Sequence, residues 1–168
     1  LFSEAEPGAG VYWTMRRERG FTYLELVIAT FILAILAAAV IPVAEVTAKR
    51  AKEVELRRNL RIMRDAIDNF QQAVDLGLIG GSDVELGSEG YPKELETLVD
   101  GVSQVGTIDK KLKFLRRIPI DPMTHSTEWG IRSYQDEPDS TIWGGQNIYD
   151  VYTASAGTAL DGTKYRDW

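Results

Sequence analysis

The feature that most constrains this chain is the block FTYLELVIATFILAILAAAVIPVA at 21–44, apolar apart from Glu25 and three hydroxyl residues. As a helix rising 1.5 Å per residue it covers roughly 36 Å, enough to cross a bilayer. A cleaved secretory signal has a shorter apolar stretch, with its small-residue cleavage site after that stretch. Here the block is too long, and the only obvious cut site, Gly20, lies before it. Immediately upstream stand Arg16, Arg17 and Arg19. By the positive-inside rule they keep the N-terminal side cytoplasmic and place everything after Ala44 on the outer, periplasmic side of an inner membrane. Met15 reads as the start of translation, with residues 1–14 an upstream extension, 15–20 a leader, 21–44 the spanning helix and 45–168 a periplasmic domain.

The helical period continues past Pro42. Leu56, Leu60, Met63, Ile67, Phe70 and Val74 alternate spacings of four and three, the mark of one apolar stripe on a helix. Opposite charges four apart, Glu53/Arg57, Arg61/Asp65 and Arg64/Asp68, are expected to support its solvated side. Gly77, Gly80 and Gly81 should stop the helix, which from 21 to 76 would approach about 80 Å at the same rise. The stretch 77–90 reads as a loop, and Pro92 is expected to open a short helix over PKELETLVD. Pro119 and Pro122 rule out a central strand or helix over RIPIDPMT, leaving an extended, turn-rich connection. Residues 129–134 and 147–153, rich in aromatic and β-branched types, should pair as a small antiparallel sheet. The aromatics nearby, Trp129, Tyr134, Trp143, Tyr149, Tyr152, Tyr165 and Trp168, are expected to form its core rather than a ligand platform. The fold class is therefore α+β: a long N-terminal helix, first half transmembrane and second half amphipathic, packed on a small C-terminal antiparallel β-sheet domain.

Composition removes several functions. The net charge is -6, and it is unchanged without the first twenty residues, because three Arg there balance Glu4, Glu6 and Glu18. An acidic body lacks the basic face that releases counterions from phosphates, so no nucleic-acid partner is expected. With no cysteine, disulfides and thiolate zinc sites are excluded. The chain also lacks GxSxG, HExxH and GxxxxGK[ST], and its one histidine, His125, sits in a polar run and reads as a solvated loop residue. No catalytic residue is expected, and the chain is not read as an enzyme.

Glu25 is the residue that asks for a function. A lone acid such as Asp costs about 2.5–3.5 kcal/mol at the centre of a membrane helix, and less near its end. If the chain is cut after Gly20, the new α-ammonium of Phe21 supplies a counter-charge, since such an amine titrates near about 7.7–8.0.

The junction Arg-Glu-Arg-Gly20, Phe21-Thr22-Tyr23-Leu24-Glu25, with the apolar span and Pro42, resembles the class III signal of type IV prepilins and type II secretion pseudopilins. The resemblance implies cleavage after Gly20 by a membrane prepilin peptidase and methylation of the new terminal Phe21. It also implies a homopolymer held through the N-terminal helices, with Glu25 pairing to Phe21 of a neighbouring subunit. Around Pro42, which removes a backbone donor, it implies a helix that kinks or unwinds on assembly; a plain helix end near the outer face is the alternative. Beyond residue 44, YPKELETLVDG, KKLKFLRRIPIDPMT, EWGIRS and WGGQNIYDVYTASAGTALDGT are similar to the major pseudopilin, with its proline-aspartate-proline segment at Pro119, Asp121 and Pro122. That implies further partners: membrane lipid before assembly, an inner-membrane assembly platform and minor pseudopilins. Major pseudopilins commonly hold calcium in an Asp-rich C-terminal loop. Asp150, Asp161 and Asp167 are available here, but the dense Gly/Asp run is absent, so no cofactor is carried over and these acids are expected to be solvated. The rival readings are a type IV or competence pilin, and a periplasmic domain on an uncleaved anchor.

Overall fold

The computed structural model describes residues 20–80, 84, 87–107 and 110–168. The element order is α1 (Tyr23–Asp75), α2 (Glu96–Asp100), β1 (Val102–Ser103), β2 (Lys111–Leu112), β3 (Gly130–Arg132) and β4 (Asp150–Tyr152), closed by a 3₁₀ turn at Tyr165–Asp167. By internal packing the chain divides into two compact units, one ending at Ile41 and the other running from Pro42 to Trp168.

Helix α1 has 53 residues. In the first unit its apolar side chains have nothing to cover them: Leu24, Phe31, Ile32, Leu33 and Leu36 are all exposed. This stretch is long and apolar enough to cross a membrane. Helix assignment is continuous through Pro42 rather than interrupted there. Proline still removes the N–H that would otherwise bond back one turn, to the carbonyl of Ala38.

In the second unit the expected stripe is the core. Leu56, Met63, Ile67 and Phe70 are wholly buried and Leu60 nearly so, with Ala66 and Ala73 alongside. Each of the large side chains contributes roughly 1.5–3 kcal/mol by leaving water. Leu98, Ile148 and Val151 complete the cluster, and Val74 packs at its margin. Phe70 meets Phe114 edge to face at 5.2 Å between ring centroids.

The expected antiparallel sheet forms as β3 with β4, and a separate pair, β1 with β2, adds to it. In the expected one, Gly130 pairs with Tyr152 and Arg132 with Asp150, so both aromatic segments do form strands, though shorter than expected. Glycine is required at 130 because a Cβ there would run into the Tyr152 ring. Helix α2 begins at Glu96, four residues after the proline expected to open it. Pro92 instead lies outside the helix, its carbonyl accepting from Ile148 N–H at 2.7 Å. The α2 helix stops at Gly101, with φ of 78° and no room for a side chain against Leu112.

The proline segment is the turn-rich connection its sequence requires, organised around Asp121. That carboxyl is fully buried and accepts from Met123 N–H at 2.8 Å and from the Thr153 hydroxyl. His125 follows in an exposed turn at φ 58°.

Candidate functional site

Thr22 starts α1. Its hydroxyl accepts from Glu25 N–H at 3.2 Å, and its carbonyl accepts from Leu26 N–H at 3.1 Å. Thr22 is thus the N-cap, and Thr22-Tyr23-Leu24-Glu25 has the T-x-x-E pattern of a capping box. Glu25 stands in the first turn, where the positive end of the helix dipole favours a carboxylate. Its place is therefore set by the cap as well as by any partner. The T-x-x-E spacing was readable in the sequence, so Thr22 is the residue that reasoning from membrane cost alone misses.

Gly20 and Phe21 precede the cap. Phe21 is 81% exposed, and a Cβ on Gly20 would meet nothing, so the residues flanking the proposed cut are sterically open. The span's other polar side chain in reach of the backbone is Thr30, whose hydroxyl donates to the carbonyls of Leu26 and Val27 at 2.9 Å. It therefore carries no unmet polar demand into lipid. Glu25 remains the only ionisable side chain between Gly20 and Ala44 other than Tyr23. The basic cluster and the rest of the leader lie outside the described residues.

Residues 15–41 match the family model described as the prokaryotic N-terminal methylation motif. The chain is type IV pilin-like. Neither the curated proteins nor the solved structures yield a match. The motif is that of pilin-like proteins, structural subunits of the pilus or pseudopilus kind rather than enzymes, and it is a signal for leader cleavage and methylation. Its apolar first helix is consistent with anchoring in the inner membrane before assembly.

The second unit of this pilin-like protein is held to its own helix by charge. Glu53, Arg57 and Arg64 were expected to serve local i,i+4 pairs, but all three turn to the C-terminal segment. Glu53 Oε1 accepts from Leu160 N–H at 2.8 Å and from the Tyr165 hydroxyl at 2.9 Å. Arg57 lies 3.5 Å from Asp161 and 4.0 Å over the Trp168 ring. Arg64 donates to Asp150 Oδ1 at 2.6 Å and to the carbonyls of Val151 and Trp168 at 3.2 and 2.8 Å. A charge-assisted bond in a half-buried setting contributes about 1.5–3 kcal/mol. An exposed helical pair gives only about 0.2–0.5 kcal/mol, so for Arg64, half-buried against Asp150, the long-range partner wins.

Of the C-terminal acids expected to be solvated, Asp161 and Asp167 are exposed, whereas Asp150 is half-buried and engaged. Asp150 is shared by Arg64 and by the buried Arg132, whose Nη1 lies 3.2 Å from Oδ2. Asp161 accepts from the hydroxyl and N–H of Thr163, which with Arg57 nearby hold its carboxyl below the usual range. Asp167 is 3.6 Å from Arg166. Among the described residues no group of three or more His, Asp or Glu could hold a metal ion. The aromatics divide. Trp129, Tyr152 and Tyr165 are buried, whereas Tyr91, Tyr134 and Tyr149 form a surface cluster with centroids 5.2–6.1 Å apart.

Proposed function

We propose that this chain is the major pseudopilin of a type II secretion system. A prepilin peptidase cuts after Gly20 and the new terminus at Phe21 is methylated. The subunit waits in the inner membrane, then joins a homopolymer through its N-terminal helix, driven by the assembly platform and started by minor pseudopilins. The growing filament acts as a piston for folded proteins. In its apolar core Glu25 neutralises the ammonium of Phe21 on a neighbouring subunit, and the pair sets the register. Helix around Pro42 loosens on assembly, because the carbonyl of Ala38 has no intrahelical donor to lose.

The observation that carries this reading is Glu25 itself: one carboxylate, fixed in the first turn of a helix otherwise uncharged as far as Ala44, five residues beyond a glycine at the end of a basic leader. The secretion assignment rests further on the similarity of the sequence after residue 44, with Asp121 buried between its two prolines.

Two measurements test the proposal. Intact mass of membrane-extracted protein should correspond to a chain beginning at methylated Phe21. A mass retaining residues 15–20 in a host with active peptidase would overturn processing. Deleting the gene should stop export of folded proteins while leaving surface pili intact. Lost pili with normal export would make the chain a type IV pilin instead.

A further inference from the structure

Within the second unit, a groove of about 1110 Å³ runs between α1 and the segment 114–120. Its apolar surface includes Val54, Ile62 and Ile120, which are 64%, 38% and 59% exposed. Arg58, Arg116 and Arg117 line it too, against one acid, Glu55. Among the described residues, none of the three guanidinium groups has an ion-pair partner. Exposed aliphatic side chains ringed by unpaired cations are a surface that awaits an acidic, apolar occupant.

The same unit carries such a group. In the loop 136–142, Glu137 and Asp139 are exposed and without ion-pair partners among the described residues, and Ile142 is 81% exposed. The loop is braced from within. Asp136 accepts from the N–H groups of Ser133 and Gly144 at 2.7 and 3.1 Å. The Ser140 hydroxyl donates to the Ile142 carbonyl at 2.8 Å, and Arg132 Nε donates to the Ser140 carbonyl at 2.8 Å. A loop already fixed with its isoleucine outward loses little freedom on docking.

We propose that this loop of one subunit seats in the groove of the next copy, Ile142 against Val54, Ile62 and Ile120, with Glu137 and Asp139 among Arg58, Arg116 and Arg117. The occupant is a second copy because the chain is acidic overall, at -6, and holds the complementary tip itself. Loop and groove share no residue, so the contact is heterologous, and where its rotation does not close it repeats as an open helical array. This deepens the polymer reading above and rests on it.

The chain has no cysteine, so an introduced thiol is its only one. Two differently tagged full-length chains, Ile142→Cys and Ile120→Cys, are co-expressed with the processing and assembly machinery, and their membranes are mildly oxidised. A doubly tagged disulfide dimer is expected, well above the yield when both chains carry the same substitution. Adding Arg116→Glu and Arg117→Glu to the groove chain should lower that dimer by about tenfold or more. Adding Glu137→Lys and Asp139→Lys to the loop chain should then restore it. Absence of the crossed dimer, or its indifference to charge reversal, overturns the contact. So does loss of binding to phosphatidylglycerol vesicles on Arg reversal with cross-linking unchanged, which would make the groove a lipid-headgroup site. Intact mass and microscopy of the same membranes read the polymer separately. Processed filaments without the crossed dimer overturn the contact alone; an unprocessed chain without filaments that still gives the dimer overturns the polymer reading alone.

Discussion

Arg64 of α1 and Asp150 of β4 meet at 2.6 Å across 86 residues of sequence, joining the helix to the strand pair that covers it. Asp150 also balances Arg132, which is only 6% exposed. Removing the acid therefore strands a buried cation, whereas removing Arg64 frees a carboxylate that still has a partner. Asp150→Ala should cost about 3 kcal/mol, the lower end for breaking a buried pair, and Arg64→Ala about 1–2 kcal/mol. Urea unfolding of the soluble domain measures both; equal losses would show that Arg132 draws nothing from Asp150.

A fragment beginning at Thr47 should be a soluble monomer at micromolar concentration. It lacks the exposed apolar stretch of α1, while the stripe from Leu56 to Phe70 keeps its cover. The groove contact proposed above is too small to persist without the high local concentration that a shared membrane or filament core provides. Sedimentation velocity decides. Large aggregates that bind an apolar dye would show that the stripe is an intersubunit surface.

Glu25→Val should leave cleavage after Gly20 intact and abolish filaments. The side chain lies past the cut, and the N-cap from Thr22 to the backbone N–H at 25 survives the change. Assembly instead brings an unmatched ammonium into an apolar bundle, where deleting one member of a buried pair costs roughly 3–5 kcal/mol. The variant should accumulate as processed, membrane-resident monomer, seen by intact mass and microscopy. Normal filament yield would remove the pairing mechanism.

Tyr165 should ionise late. Burial, reinforced by its hydrogen bond to the Glu53 carboxylate, pushes its phenol up to about 12. A group whose folded-state pKa is raised adds stability that is complete below the unfolded value near 10 and is lost as pH rises towards 12. Ultraviolet titration of phenolate should therefore show a tyrosine ionising only as the domain loosens. Glu53→Gln should move that step down, and an unchanged titration would show that burial alone sets it.

The sequence revealed what repeats locally. Spacings of four and three from Leu56 to Phe70 placed the core stripe, since a helix face is a sequence pattern as well as a surface. Glycine before an aromatic residue, with Glu25 inside an apolar run, marked the stretch that matches the methylation motif. Long-range choices were hidden. Nothing near Glu53, Arg57 or Arg64 announces that their partners lie around Asp150, Asp161 and Tyr165, so the i,i+4 rule assigned them to neighbours. Pro92 looked like a helix start because proline suits that position, yet its carbonyl was claimed by Ile148 across the domain. Strands of two residues, such as β1 and β2, are too short for any periodicity to show.

The ties that Glu53, Arg57 and Arg64 make to residues 150–168 also set a timetable. Their partners lie 86 to 112 positions downstream, so the helix side of the core cannot be locked until that late segment has emerged. Contacts this distant in sequence make closure slow and hold it back until the chain has been delivered. On the proposed topology, in which the residues after Ala44 cross the membrane in chain order, the domain would stay loose and threadable during passage and set only after the segment that fastens it has crossed.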